Sequence, residues 1–372
     1  MSLVLTRIQN IRANSNFDKF EYRPSRYGAL NAFMVQSEDP TGILTEELKQ
    51  KARTSIGNVL ETPVINYDAD ITIGSTRTLE ITDSENTSKM VQITFATYAW
   101  GFTIAPAMYM NNEIGIQKDF ETKMMKYIYA FAKKLDEAAL AQLAASKTQI
   151  LKNKLLYDFS SNAINAKWSE RENVFGDLEV MMGANDFYGQ LHIVGDPGVE
   201  SIMRKLQQHG LYNDVNKQNE FGTKIVHLTN NIAANSGKYA QGYAVNAGSL
   251  GMLTRFERDC LLGTVSGDGH EWGIATLPLL NMPVGTYFYD SVGDYSTIAG
   301  AATADMTRTR KEHYGFAVDV AFLTAYNSSL TTLASPILSF NISSENAVYA
   351  KPVVVVNSKD SPVNTKAVGA GG

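Results

Sequence analysis

Two hydrophobic periods alternate along this chain of 372 residues. The helical period is strongest after Pro106, where Phe120, Met124, Tyr127, Phe131, Leu135, Ala138 and Gln142 recur at spacings of four, three, four, four, three and four. Residues three and four apart share a helix face, so the stripe predicts a helix from Glu113 to about Leu151, capped by Asn111 or Asn112. At 1.5 Å per residue it would be roughly 55 Å long. The stripe is not sustained with charged flanks over further heptads, so it reads as a rigid brace along one face of a sheet, not as a coiled coil.

A shorter helix is predicted from Thr45, where TEELKQKARTSIGNVL spaces Leu48, Ala52, Ile56 and Leu60 about a turn apart and places acids in the first turn. It should stop near Gly57. From Ala69 the period becomes two. Ile71, Ile73, Leu79 and Ile81 alternate with polar residues, the tract DSENTSK intervenes, and Val91, Ile93 and Phe95 resume the alternation. These segments read as a long β-hairpin over about 60 to 107 with a hydrophilic tip. A lone hairpin is marginal in water, so it must lie on its own domain or on a neighbouring molecule, and the pattern leaves both open.

Further on, RENVFGDLEVMMGAND places Val174, Leu178 and Met181 or Met182 on one helical face. The strand LHIV then runs through Gly195 and Asp196 into a helix with Pro197 in its first turn and Gly210 at its end, and TKIVHLT and GYAVNA complete an α/β lobe. Cys260 to Ser296 reads as short strands and loops. In RKEHYGFAVDVAFLTAY, Tyr314, Phe316, Val318, Val320 and Phe322 alternate with Gly315, Ala317, Asp319 and Ala321, a half-buried strand whose expected partner is PILSFNIS. Residues 1–40 show no sustained period and read as an extended arm, and AVGAGG as a flexible tail. The chain thus divides at 1–40, 41–112, 113–168, 169–295, 296–350 and 351–372. No fixed internal repeat is visible, which disfavours solenoids and propellers.

Composition adds two constraints. Charged residues make up 19%, below the usual quarter, so either partners cover much of the surface or a large monomer has an uncharged polar skin. The net charge of −5 excludes a generally basic nucleic-acid binder. The first thirty residues differ: Arg7, Arg12, Lys19, Arg23 and Arg26 against Asp18 and Glu21 leave +3 for acidic neighbours, packaged nucleic acid or solvent. With Cys260 alone, no intrachain disulfide can form. MSLVLTRIQNIR lacks a signal-peptide core and no run approaches the ~20 apolar residues of a membrane span, so a soluble protein without a secretion signal is expected.

Each catalytic motif lacks a required part. His270 and Glu271 in GDGHEWG have no second His one turn away, and Gly267, Gly269 and Gly273 miss the dinucleotide spacing by one residue. Ser249 in NAGSLGM resembles a nucleophile elbow with Ala247 in place of the first Gly, and Asp290 or Asp294 with His313 could complete a triad. The segment after Ser249, however, offers no helix to carry the elbow. Asp68 and Asp70 lack the rest of a calcium loop, and Glu170 and Glu172 read as solvated acids before a helix. His192 and His227 sit in apolar strands and read as satisfied core residues. No metal or cofactor site and no catalytic set is expected.

The order of elements, a polar arm, a short helix, a long hairpin, a very long helix, an α/β lobe and a late return strand, resembles the major capsid (coat) protein of tailed bacteriophages. That is the Hong Kong 97-like fold, shared with herpesvirus shells and encapsulins. The resemblance covers nearly the whole chain as architecture and matches no residue motif. It implies an α+β fold with an N-terminal arm (1–40), an extended β-hairpin loop, a peripheral domain with a long spine helix (113–151), an axial α/β domain (169–295) and return strands at 296–350. It further implies pentamers and hexamers of one chain closing into an icosahedral shell around double-stranded DNA, held without sequence specificity. Scaffolding, portal and decoration proteins would be partners, with no cofactor, membrane or turnover, in a virion made in the bacterial cytoplasm. Arg7, Arg12, Arg23, Arg26, Arg77, Lys89 and Trp100 are the candidate inter-subunit contacts. Two alternatives stand beside it, an encapsulin compartment and a serine hydrolase using Ser249. On the shell reading, deleting Ala69 to Ala99 should leave a folded subunit that cannot assemble, and Phe131→Asp should disrupt folding.

Overall fold

The computed structural model describes residues 4, 6–9, 26–40, 42–55, 57, 59–65, 88–109, 115–151, 156–211, 224–263, 269–293, 309–325 and 334–345. They form an α+β fold. In chain order come α1 (Gly28–Ser37), α2 (Glu46–Thr54), β1 (Val59–Ile65), β2 (Ser88–Thr94), β3 (Ala96–Ile104) and α3 (Ile116–Ser146). There follow β4 (Asp158–Ser160), β5 (Ala163–Ala166), α4 (Val174–Ala184), β6 (Leu191–Gly195), α5 (Pro197–Leu211), β7 (Ile225–Leu228) and β8 (Lys238–Asn246). Last are β9 (Leu250–Arg255), α6 (Arg258–Leu262), β10 (Glu271–Thr276), β11 (Pro283–Gly293), β12 (Thr309–Thr324) and β13 (Ile337–Ser343). The strand pattern at 71–81, the DSENTSK tip up to Thr87, Asn111, Asn112 and the C-terminal tail lie outside the described residues.

Helix α3 starts at Ile116 instead of Glu113 and ends at Ser146 instead of Leu151, giving 31 residues and about 46 Å at the helical rise. Its end is set by tertiary bonds. Ser335 Oγ donates to the Ser146 carbonyl at 2.6 Å, and the Thr148 backbone N–H donates to the Ile337 carbonyl at 2.8 Å, which draws the chain towards β13. The buried stripe is Phe120, Met124, Ile128, Phe131, Leu135, Ala139 and Leu143, while Tyr127, Ala138 and Gln142 of the expected stripe are only half-buried. The seam drifts because α3 serves two partners. Its first half lies on Phe102, Phe316 and Val318 of a sheet, and its second half on Ala29, Ala32 and Phe33 of α1.

That sheet runs β10-β11-β12-β3, with β9 also paired to β12, and every pairing is antiparallel. Glu312, Tyr314, Phe316, Val318 and Val320 of β12 are buried. The alternation then slips: Ala321 is buried beneath the start of the hairpin and Phe322 is half-buried. Two expectations are corrected. β10 and β11 belong to the sheet under α3, not to the α/β lobe of 169–295, because the ladder from Gly285↔Ala317 to Gly293↔Thr309 fixes β11 on β12. β13 is not the partner of β12. It pairs in parallel with β5 and antiparallel with β8 in a second sheet ordered β4-β5-β13-β8-β6-β7.

In this six-stranded sheet β6 and β7 are parallel and joined through α5, the βα unit expected around Pro197. One face carries Val174, Phe175, Leu178, Met181 and Met182 of α4 and Val199 and Ile202 of α5 against Ile193, Ala244 and Phe340. The other face turns Val194, Val245 and Ile337 towards α1 and the end of α3. Burying each such side chain stabilises the fold by roughly 1.5–3 kcal/mol.

Helix α1 corrects the reading of residues 1–40 as an extended arm. Gly28, Ala29, Leu30, Ala32, Phe33 and Gln36 are all buried, so the segment is apolar on most of its circumference and shows no amphipathic stripe. Residues 6–9 are also helical, and Val4 and Ile8 are buried in the core under α3. Helix α2 starts at its expected cap, with Thr45 Oγ1 accepting the Leu48 N–H at 3.2 Å, but it ends at Thr54, and Leu60 of the expected stripe lies in β1 instead. Among the described residues no helix is long and apolar enough to cross a membrane.

Candidate functional site

The hairpin stands on a root that is built from both apolar and polar contacts. β1 and β2 pair from Val59↔Thr94 to Ile65↔Ser88. They form a two-stranded sheet of their own. At its root Leu60, Ile93 and Phe95 bury against Leu44, Ala52, Leu253 and Ala321. Val59 and Met90, on the opposite face, are about half exposed. The ribbon therefore has one covered face at its root and, on the other face, open apolar side chains at the root (Val59) and further along (Met90).

Polar bonds fix the same root. Arg255 of β9 and Asp319 of β12 are cross-strand partners. Arg255 Nε and Nη2 donate to Asp319 Oδ2 at 3.1 and 2.8 Å, and Nη1 donates to the Gly57 carbonyl and, at 3.4 Å, to Ser55 Oγ. Thr97 Oγ1 donates to the other carboxylate oxygen at 2.7 Å, and the guanidinium lies 4.7 Å from the Phe95 ring centroid. Arg255 is 6% exposed, so its charge is neutralised in place rather than by water. Gly57 sits at φ +98°, a turn that a side chain would strain, and its carbonyl is thereby aimed at Arg255. Lys51 Nζ donates to the Glu61 carbonyl at 2.6 Å, tying α2 to β1.

The candidate contact residues divide. Arg7 points into its own core: Nη2 meets Glu312 Oε2 at 2.8 Å, and the guanidinium lies 5.7 and 5.4 Å from the ring centroids of Phe120 and Tyr314. Tyr314 donates to the same Glu312 oxygen at 2.6 Å, and its own burial, with this bond, holds its hydroxyl pKa well above the ordinary value. Trp100 faces α3, 4.5 Å from Phe131 and 5.4 Å from Phe316 between ring centroids. Arg26 pairs with Glu200 of α5 and remains partly exposed. Lys89 is a ladder partner of Val64 in the ribbon. Arg12, Arg23 and Arg77 lie outside the described residues.

The nominated catalytic residues do not converge. Ser249 Oγ donates to the Asn246 carbonyl, and its own carbonyl accepts from Ala325 N, just past the end of β12. His313 lies twelve residues before Ala325, about 40 Å away at the strand rise, and is bonded to Thr103 and Ser291. Asp290 pairs with Arg310, and Asp294 lies outside the described residues. His270 joins a stacked row with Tyr287, Tyr289 and His313. Asp68 and Asp70 are likewise outside. Glu170 closes a short turn on the Lys167 N–H, and Glu172 pairs with Arg171. Among the described residues no cluster of three His, Cys, Asp or Glu could hold a metal.

Three polar groups that sequence reasoning passed over hold the body together. Arg255 and Asp319 interrupt apolar strands with opposite charges, which signals a pair without saying who partners whom. Asp136 lies in the apolar stretch of α3 and is fully buried. Its Oδ1 accepts the Leu30 N–H at 2.9 Å, and its Oδ2 accepts from Thr229 Oγ1 at 2.6 Å and Asn231 Nδ2 at 2.8 Å.

No family model and no curated protein matches the chain. Among solved structures it is similar to a chain of Mycobacterium phage Adephagia, at 9% identity and TM-score 0.49, over 93% of this chain and 99% of that one. The capsid of Ralstonia phage GP4 is similar at 11% identity and TM-score 0.45 over 80% and 86% of the two chains. For the capsid of the cyanophage P-SCSP1u the values are 12% identity and TM-score 0.44 over 78% and 85%.

Proposed function

We propose that this chain is the building block of a closed shell: copies form pentamers and hexamers of an icosahedral bacteriophage capsid that encloses double-stranded DNA. The observation that carries the reading is the ribbon. Two strands with no third partner among the described residues leave a well-packed body, rooted on Leu60, Ile93 and Arg255, and expose Val59 at the root and Met90 further along the ribbon. A two-stranded ribbon is stable when something covers it, and a second copy of the chain supplies that cover. The long α3, laid on a sheet and locked to the second lobe through Asp136, makes a stiff plate suited to carrying loads between neighbours. Lys89, Arg26 and the basic segment around Arg12 and Arg23 are the contacts this reading assigns to neighbours or to packaged DNA. The role coincides with that of the capsids named above.

Electron microscopy of the purified full-length chain, expressed alone and with its neighbouring phage genes, tests the proposal. Closed, regular particles are expected. A monomer under all conditions, by light scattering and microscopy, overturns it. Particles filled with a cargo enzyme and no genome would point to an encapsulin compartment. A hydrolase centred on Ser249 is disfavoured by the span of β12 between Ser249 and His313.

A further inference from the structure

The strongest polar feature outside the ribbon root is a chain of three side chains at the junction of α1 with the six-stranded sheet. Gly28 opens α1 in direct contact with the sheet. A Cβ there would lie 2.6 Å from backbone atoms of His227 and Leu228, so no other residue lets the helix approach so closely. One turn on, Asn31 Nδ2 lies 3.2 Å from His227 Nδ1, and His227 Nε2 lies 3.0 Å from Nδ1 of His192 on the neighbouring strand. Both imidazoles are 4% exposed and their rings are nearly parallel, 9° apart.

With the Asn31 amide nitrogen set against the ring as the donor, His227 Nδ1 accepts, its Nε2 carries the hydrogen, and His192 Nδ1 accepts in turn. Both rings are neutral. A proton gained on either ring places a cation between two buried strands, and a proton on His227 Nδ1 confronts the Asn31 amide with a second donor. Solvent has access, because His227 and Asn31 line a groove bounded by Arg26, Val35, Leu279 and Asn281.

We propose that the chain Asn31–His227–His192 is a proton-sensitive clasp that holds the start of α1 on the six-stranded sheet, and that acid opens it while α3 stays folded on its own sheet. The charged and titratable groups facing it are few. Arg26 and Glu38 flank α1, Asp39 acts on His192, Glu200 of α5 is engaged by Arg26 and Arg204, and Asp136 of α3 is bound by Leu30, Thr229 and Asn231. Burial, reinforced by the neighbouring imidazole of His192, pushes the His227 pKa down to about 4, and burial also lowers that of His192. The clasp is thus closed at neutral pH and under strain in acid. The stability of α1 is set on one side by these neutral rings and on the other by the Asp136 carboxylate, so two independent bonds must fail for full release.

Hydrogen exchange of the full-length protein, corrected for intrinsic rates, tests the clasp. Exchange at residues 28–31 and 225–229 should rise by up to about tenfold per pH unit between ~pH 6.5 and ~4.5, the slope of a single linked proton. Exchange in Phe120 to Phe131 should stay flat. His227→Gln should reduce the slope at residues 28–31, leaving only the part that His192 carries. Flat exchange at 28–31 in the unaltered protein overturns the proposal, as does simultaneous opening of α3. A slope that survives His227→Gln undiminished but disappears in Asp136→Asn assigns the effect to the carboxylate and also overturns it. Should His227→Gln fail to fold, ring NMR of histidine-labelled protein decides: two resonances titrating well below ~6.5 support the clasp, and ordinary titration of both refutes it.

Discussion

Asp136 caps a helix to which it does not belong: its Oδ1 accepts the Leu30 backbone N–H at 2.9 Å, inside the first turn of α1. Tyr27, at the cap position itself, provides no side-chain bond to the helix end, so the positive end of α1 is satisfied from α3, 106 residues away in sequence. The carboxylate thereby joins α1, α3 and the Thr229–Asn231 segment in one node. Asp136→Ala removes the acceptor from three donors, each costing about 1–3 kcal/mol when left buried and unpaired, so a loss of at least ~3 kcal/mol is expected in chemical denaturation. A loss below about 1 kcal/mol would show that water replaces the carboxylate.

Arg255→Met should loosen the ribbon root without unfolding the body. Asp319 retains the Thr97 bond, and Leu60, Ile93 and Phe95 retain their apolar contacts. The expected cost is about 2–4 kcal/mol, the range for breaking a buried pair softened by that remaining bond. Limited proteolysis is the readout: cleavage within 57–95 should accelerate while α3 remains intact, and particle yield should fall. Equal acceleration in α3 would place Arg255 in the global core instead.

Removal of the ribbon must respect β3. Deleting Ala69 to Ala99 would take four positions, Ala96 to Ala99, from the ladder with β12 and should unfold the sheet. Replacing only residues 66–87 by a short Gly-containing turn should leave circular dichroism and thermal midpoint within a few degrees of the parent and abolish particle formation. Normal particles from that variant would remove the segment between β1 and β2 from assembly.

Phe131→Asp should fail to fold. Phe131 is 5% exposed and packs on Trp100 and Tyr98, with ring centroids at 4.5 and 6.1 Å. An unpaired carboxylate there costs several kcal/mol beyond the lost packing, comparable to the whole stability of a domain. Soluble protein with an unchanged thermal midpoint would contradict the packing of α3 on its sheet.

Acid should weaken the fold before carboxylates titrate. His227 binds its proton near pH 4 when folded and near ~6.5 when unfolded, so between these values the unfolded chain holds more protons and stability rises with pH. The contribution is fully present above ~6.5 and is lost on acidification towards 4, amounting to at most about 3 kcal/mol. His192, shifted in the same direction, adds to it. Denaturation midpoints of the unaltered protein and His227→Gln across this range measure the difference. A midpoint that holds or increases on acidification would reverse the sign.

Local patterns carried α2, α4, the β6–α5 unit and most of α3 from sequence into structure, because each shows its buried stripe or apolar run within one continuous stretch of chain, and α2 and α5 have side-chain caps in Thr45 and Asp196. What stayed illegible depends on distant partners. Ile337 to Ser343 is strand-like by composition, but only the ladders with Ala240 to Val245 and Ile164 to Ala166 place it in the second sheet and not on β12. Helix α1 was missed because a helix enclosed on most sides lacks a polar face to set its period. At the ribbon root the opposite charges of Arg255 and Asp319 were visible, but their pairing depends on a strand register that joins residues 64 apart.

The ribbon and the sheet are continuous through Phe95, where β2 ends and β3 begins. A pull transmitted along β2 therefore enters β3 parallel to its axis and is shared at once by nine paired positions, from Val320↔Ala96 to Glu312↔Ile104. Bonds loaded side by side resist tearing far better than bonds unzipped one after another. Tension from outside the body would be met in shear by β12, the longest of the described strands.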